Sequence, residues 1–256
     1  MAINMALLHV NFFSNVLGVN TNMEVILPQK AYFTLPDKES YPVLYLLHGM
    51  SDDCTIWARR TSIERYATNY GIAVVMPSAQ LSWYSDMAYG GRFFTFFSEE
   101  LPDIVHDFFP RISKKREDTF VAGLSMGGYG AFKLAFRKPE NYAFAGALSG
   151  AFDVKNKVII QEVWDLAFGS NDKIDGSVND LFFLSQELKK SIKEIPQLYF
   201  SYGKDDELVY AGNKRMEKHL TELGIEHICQ EHEGSHTWEF WDEHIKDILA
   251  NLPIKK

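Results

Sequence analysis

The chain has 256 residues, 46% of them hydrophobic and 23% charged, with a net charge of −8 and a pI near 5.5. That length suits a single domain spanning 1–256, and the composition is that of an ordinary globular core. An acidic surface repels phosphate backbones and anionic lipid head groups, which argues against nucleic-acid and membrane partners.

Residues 1–16 lack a basic leader and are interrupted by Asn4, His9 and Asn11, so they do not read as a signal peptide. No run approaches the ~18 apolar residues of a membrane span. Cys54 and Cys229 are too few for a disulfide framework and suit a reducing compartment. The expectation is a soluble, cytoplasmic protein; whether copies associate as a homo-oligomer is left open.

Two antiparallel strands open the chain, near 8–13 and 22–27, around a turn containing Gly18. Residues 43–47 form a continuous apolar run ending at His48-Gly49, the mark of a strand covered on both faces. Ile63, Tyr66, Ala67 and Tyr70 recur at helical spacing up to Gly71. Residues 72–76 are another buried strand, stopped by Pro77. Leu101, Ile104, Val105 and Phe108 mark an amphipathic helix, and 119–124 a strand running into Ser125. Further strands are expected at 144–148, 197–202 and 227–230, with helices near 125–137, 210–223 and 240–249.

Strands alternating with helices predict an α/β fold: a mostly parallel sheet of about eight strands with helices on both faces. Chemistry in such sheets gathers at the carboxyl ends of the strands. Four of those ends carry reactive or unusual residues: His48-Gly49-Met50, Ser125, Asp205-Asp206 and His236. The stretch 151–195 is too long for a simple crossover and reads as an inserted cap.

Gly123-Leu124-Ser125-Met126-Gly127 matches the G-x-S-x-G nucleophile elbow and lies between a strand and a helix, as an elbow must. A serine hydroxyl needs a base to take its proton. In the α/β-hydrolase fold the partners follow in the order Ser, Asp or Glu, His. His236 occupies a small-residue loop before the last helix and is the base expected; its rival is His232, otherwise an exposed residue at a strand end. His219, His227 and His244 fall within predicted helices or strands and suit packing or surface roles. His232 and His236 also have a spacing seen in metal sites, but a third ligand is not evident and no metal is expected. For the acid, Asp206 lies three residues after Gly203, the usual spacing in this fold, and is preferred to Asp205. The oxyanion donors are backbone N–H groups: Met126, after the serine, and Met50, with Gly49 the alternative.

Tyr45 to Met50 followed by Trp57, the elbow with Tyr129-Gly130, Gly203 to Asp206, and Gly234 to Trp238 with Trp241 resemble the esterase D-like family, and within it the bacterial tributyrin esterases. Trp83 to Asp86 and Glu99 to Pro102 fit the same group. The resemblance spans nearly the whole chain and is weakest over 151–195. It implies an α/β-hydrolase acting on small-molecule, short-chain acyl esters without metal or organic cofactor. Position by position, it implies Ser125, Asp206 and His236, with the backbone of Met50 and Met126. The family also holds S-formylglutathione hydrolases, feruloyl esterases and mycolyltransferases, so a thioesterase is the main alternative. A feruloyl-type esterase or a catalytically silent binding module on the same fold is a lesser one.

Overall fold

In the computed structural model, which describes residues 4–29, 40–156, 160–191 and 193–254, strand alternation sorts side chains between two cores. β3 (Val43–Leu47) shows the rule: Val43, Tyr45 and Leu47 enter one core, Leu44 and Leu46 the other. Successive strand side chains point to opposite faces, and both faces here are covered, so every residue of β3 is apolar and buried.

β1 (Met5–Ser14) and β2 (Val19–Pro28) form an antiparallel hairpin. It extends beyond the expected 8–13 and 22–27, because polar positions such as Asn20 and Thr21 join the ladder without any apolar signal. The turn carries Gly18 at φ +71°, a conformation that costs glycine little.

The remaining strands are β4 (Ala73–Pro77), β5 (Thr119–Leu124), β6 (Phe144–Leu148), β7 (Gln197–Gly203) and β8 (His227–His232). They complete an eight-stranded sheet in the order β1-β2-β4-β3-β5-β6-β7-β8. β2 pairs antiparallel with β1 and β4, and every other pairing is parallel. Pro77, expected to stop β4, is its last residue, where its missing N–H is tolerated. β8 runs past the expected 227–230 because Gly203 pairs with His232, which becomes part of the strand.

The helices are α1 (Ile56–Arg60), α2 (Ile63–Thr68), α3 (Phe93–Thr95), α4 (Leu101–Phe108), α5 (Met126–Arg137), α6 (Gln161–Phe168), α7 (Leu181–Lys190), α8 (Tyr210–Glu222) and α9 (Trp238–Asn251). A π-helical turn, Phe96–Glu100, joins α3 to α4. Leu101 and Val105 face the core as expected, whereas Phe108, at the end of α4, is exposed. α5 packs Tyr129, Ala131 and Phe132 against Val121 on one face of the sheet. α9 packs Ile245, Ile248 and Leu249 against Phe120 on the other.

The 151–195 stretch contains α6 and α7, with residues 157–159 and 192 outside the described set. Asp180 caps α7, its carboxylate accepting from the Phe182 and Phe183 N–H groups. Two points within the stretch are tied to the core: Tyr129 Oη donates to Asn179 O (2.9 Å), and the Trp164 ring meets Trp83 edge to face at 4.8 Å. Among the described residues, no helix is long and apolar enough to cross a membrane.

Candidate active site

The turn from β5 to α5 is as tight as its glycines allow. A Cβ on Gly123 would sit 2.6 Å from Gly127 O, and one on Gly127 would sit 2.5 Å from Leu47 O. Neither position accepts a side chain without moving backbone. Ser125, between them, has φ +50° and ψ −116°, a strained backbone of the kind found at functional sites. Its N–H donates to Leu148 O (2.9 Å), which fixes the turn to β6.

The loops after β7 and β8 are built against each other. A Cβ on Gly203 would lie 2.1 Å from Gly234 O, so the loop bearing His236 crosses where only glycine fits. Lys204 N–H donates to His232 O (2.8 Å) and Asp205 N–H to Gly234 O (2.9 Å). These bonds hold the acidic loop to the histidine loop. They employ the backbone of Asp205, whose side chain is exposed. Asp206 is 1% exposed and turned inward.

His236 lies between the two ends. Its Nε2 is 3.0 Å from Ser125 Oγ and its Nδ1 is 2.8 Å from Asp206 Oδ2. The other carboxylate oxygen, Asp206 Oδ1, accepts from Leu208 N–H (3.2 Å) and Val209 N–H (3.3 Å). A carboxylate only accepts, so Nδ1 carries the proton and Nε2 is free to accept from the Ser125 hydroxyl. Trp241 meets the imidazole edge to face at 4.9 Å, and its Nε1–H donates to Ser149 Oγ (3.2 Å). Ser125, Asp206 and His236 thus meet in one hydrogen-bonded line, and Asp205 stays outside it.

His232 takes another direction. Its ring stacks on His244 at 4.0 Å and 19°, and His244 Nδ1 lies 2.7 Å from Asp247 Oδ2. It is half-buried rather than an exposed strand end, and its pKa is pushed down by burial and by neighbouring His244. Ligating atoms of His232, His244 and Asp247 lie within 4.8 Å of one another, a grouping the sequence did not reveal. The two rings lie nearly parallel, packed face to face. His236, the partner suggested by spacing, does not join that grouping.

His48 organises the loop after β3. It is 1% exposed, its Nε2 accepts from Ala79 N–H (2.8 Å), and its Nδ1–H therefore donates to Gly49 O (2.7 Å). Burial pushes its pKa down, which favours that neutral form. The Gly49 N–H is drawn to the Asp52 carboxyl, whose pKa burial nevertheless raises to about 6. Met50 is the next residue along the loop. Met126 opens α5, where the first N–H groups have no acceptor within the helix.

A cavity of about 110 Å³ is lined by Trp83, Phe152, Trp164, Leu208 and Val209, and by Ala151, whose N–H donates to Ser125 O (3.1 Å). A larger hollow, about 670 Å³, is lined by Gln197 and His227 at the opposite, amino end of the sheet. The small one lies next to the Asp206 loop, which contributes Leu208 and Val209 to its lining. Trp83 and Tyr84 enter this region with φ of +51° and +48°, and Tyr84 Oη donates to His48 O (2.9 Å).

Known proteins are similar to this chain over nearly its whole length. An acetyl esterase of Caldicellulosiruptor saccharolyticus is 33% identical over 260 residues, covering 96% of this chain and 97% of that protein. The substrate-bound structure of FphF, a fluorophosphonate-binding serine hydrolase of Staphylococcus aureus, is 33% identical with a TM-score of 0.90, covering 98% of this chain and 99% of that one. An S-formylglutathione hydrolase from Staphylococcus aureus, FrmB, is also 33% identical, with a TM-score of 0.88 over 98% of this chain and all (100%) of that one. The sheet, the elbow and these relatives define a carboxylic ester hydrolase of the α/β-hydrolase fold. Residues 14–252 match the model of the family described as Putative esterase, and the chain belongs to that family.

Proposed function

We propose that this protein is a serine carboxylesterase that hydrolyses short-chain acyl esters through an acyl-enzyme. The observation carrying the reading is the unbroken hydrogen-bonded line from Ser125 Oγ through His236 to Asp206. His236 Nε2 takes the Ser125 proton as Oγ attacks the ester carbonyl, and Asp206 stabilises the resulting imidazolium and holds its tautomer. The N–H groups of Met50 and Met126 donate to the carbonyl oxygen as it becomes an oxyanion. His236 then protonates the departing alkoxide. Water, deprotonated by the same imidazole, releases the acid and restores Ser125.

The small size of the cavity lined by Ala151, whose N–H donates to Ser125 O, supports a short acyl group, and the aromatic side chains around it support an apolar one. In this reading 151–195 acts as a cap supplying Trp164. A second reading, thioester hydrolysis, is favoured by the likeness to an S-formylglutathione hydrolase. The same three side chains would serve both, with the leaving group alone differing. The test is a fluorophosphonate probe, expected to label Ser125, followed by p-nitrophenyl esters of increasing acyl length set against S-formylglutathione. Absent labelling of folded protein would refute the nucleophile. A higher kcat/KM for the thioester would replace the first reading with the second.

A further inference from the structure

Lys133 lies on α5, is fully buried, and takes no part in the chemistry above. Its Nζ donates to Ser85 Oγ (2.6 Å) and to Asn179 Oδ1 (2.6 Å). The Ser85 hydroxyl in turn donates to Trp83 O (3.0 Å). The faces of Tyr129 and Phe94 lie 5.3 and 5.8 Å from the amine. Asp86, which favours the charged amine from a distance, is itself held by Thr95 N–H and Oγ1–H. Burial pushes the Lys133 pKa well below the usual lysine range, and nearby Arg137 adds to that shift.

Burying an amine without a bonded carboxylate is costly, and a methionine would fill the same space without that cost. What lysine adds is donation to two acceptors on separate segments. One belongs to the loop carrying Trp83 and Tyr84, whose positive φ values persist only where the surroundings hold them. The other belongs to the 151–195 stretch, whose Trp164 packs on Trp83 in the cavity wall.

We propose that Lys133 is a positioning residue for substrate selection: it ties the elbow helix to Ser85 and Asn179, fixes the Trp83–Trp164 wall, and so sets the acyl length the site accepts. The assignment rests on Ser125 as nucleophile and on the cavity as the acyl pocket.

The test compares Lys133→Met, Ser85→Ala and Asn179→Ala with wild type. Each variant is first checked for fluorophosphonate labelling of Ser125. The readout is the ratio of kcat/KM for p-nitrophenyl octanoate to that for butyrate, because a general loss of active protein cancels in a ratio. Each variant removes a donor or an acceptor from one linkage, so each ratio rises, by about fourfold for every further methylene the relaxed wall admits. Lys133→Met combined with Asn179→Ala exceeds neither single change by much, since both break the same tie. Unchanged ratios in the labelled variants would overturn the assignment alone. A wild type without a chain-length limit, or unlabelled at Ser125, would overturn the underlying reading together with it.

Discussion

Replacing Asp206 with asparagine alters one atom of the site, and the structure fixes which way the new amide must face. Oδ1 accepts from the N–H groups of Leu208 and Val209. An NH₂ group there would oppose two donors, so the amide oxygen stays and the nitrogen turns to His236. That nitrogen donates to Nδ1, moves the imidazole proton to Nε2, and leaves Ser125 Oγ without an acceptor. Loss of imidazolium stabilisation adds to the wrong tautomer. The expected fall in kcat/KM is about 10⁴-fold, or about 5 kcal/mol of transition-state stabilisation. The fold should persist, because the amide oxygen keeps both loop hydrogen bonds. Asp205→Asn is the control: its side chain is exposed and its structural bond is made by the backbone, so activity should change no more than about twofold. The assay is hydrolysis of p-nitrophenyl butyrate, with near-ultraviolet circular dichroism to verify packing. An Asp206→Asn enzyme within tenfold of wild type, or a more damaged Asp205→Asn, would refute this reasoning.

Ser125→Ala should abolish fluorophosphonate labelling and lower turnover by roughly 10⁴-fold or more, while leaving the melting temperature close to wild type. His236→Ala should be nearly as severe in the ester assay, whereas His232→Ala, which disturbs the stack on His244, should leave most activity. Trp164→Ala removes a buried ring packed at 4.8 Å on Trp83 and 5.0 Å on Phe168, so calorimetry should show a loss of about 3–5 kcal/mol while longer esters are better accepted. An unchanged chain-length profile there would exclude Trp164 from the pocket wall. Burial lowers the pKa of His48, His106 and His232, so the unfolded chain binds more protons and stability falls as pH drops through the ordinary histidine range. Asp52, raised from 3.8 to about 6, opposes this between those values, but as one group against three. The melting temperature should therefore decline from about pH 7 to pH 5, and one that rises on acidification would contradict the assignment of these histidines.

Much of this protein is written locally in its sequence. The apolar runs of β3 and β6 give those strands their observed ends, because a strand covered on both faces has no polar positions to blur its limits. The elbow is legible because its glycines are demanded by backbone closeness between adjoining elements. Positions 125, 206 and 236 could be named because each follows a strand end, where an α/β sheet exposes its chemistry. Spacing favours Asp206 over Asp205 and loop position favours His236 over His232, but only the tertiary structure shows that Asp206 and His236 share a hydrogen bond while Asp205 and His232 lie outside it. Adjacent aspartates and neighbouring histidines carry the same side chains and differ in direction, in loops whose backbones meet closely at Gly203 and Gly234. It alone also gathered His232 with His244 and Asp247, and brought Ser85 and Asn179 to Lys133. Periodicity places residues such as His244 and Asp247 on one helix face, whereas His232 and the partners of Lys133 come from other elements, so they are decided only when separate elements pack together.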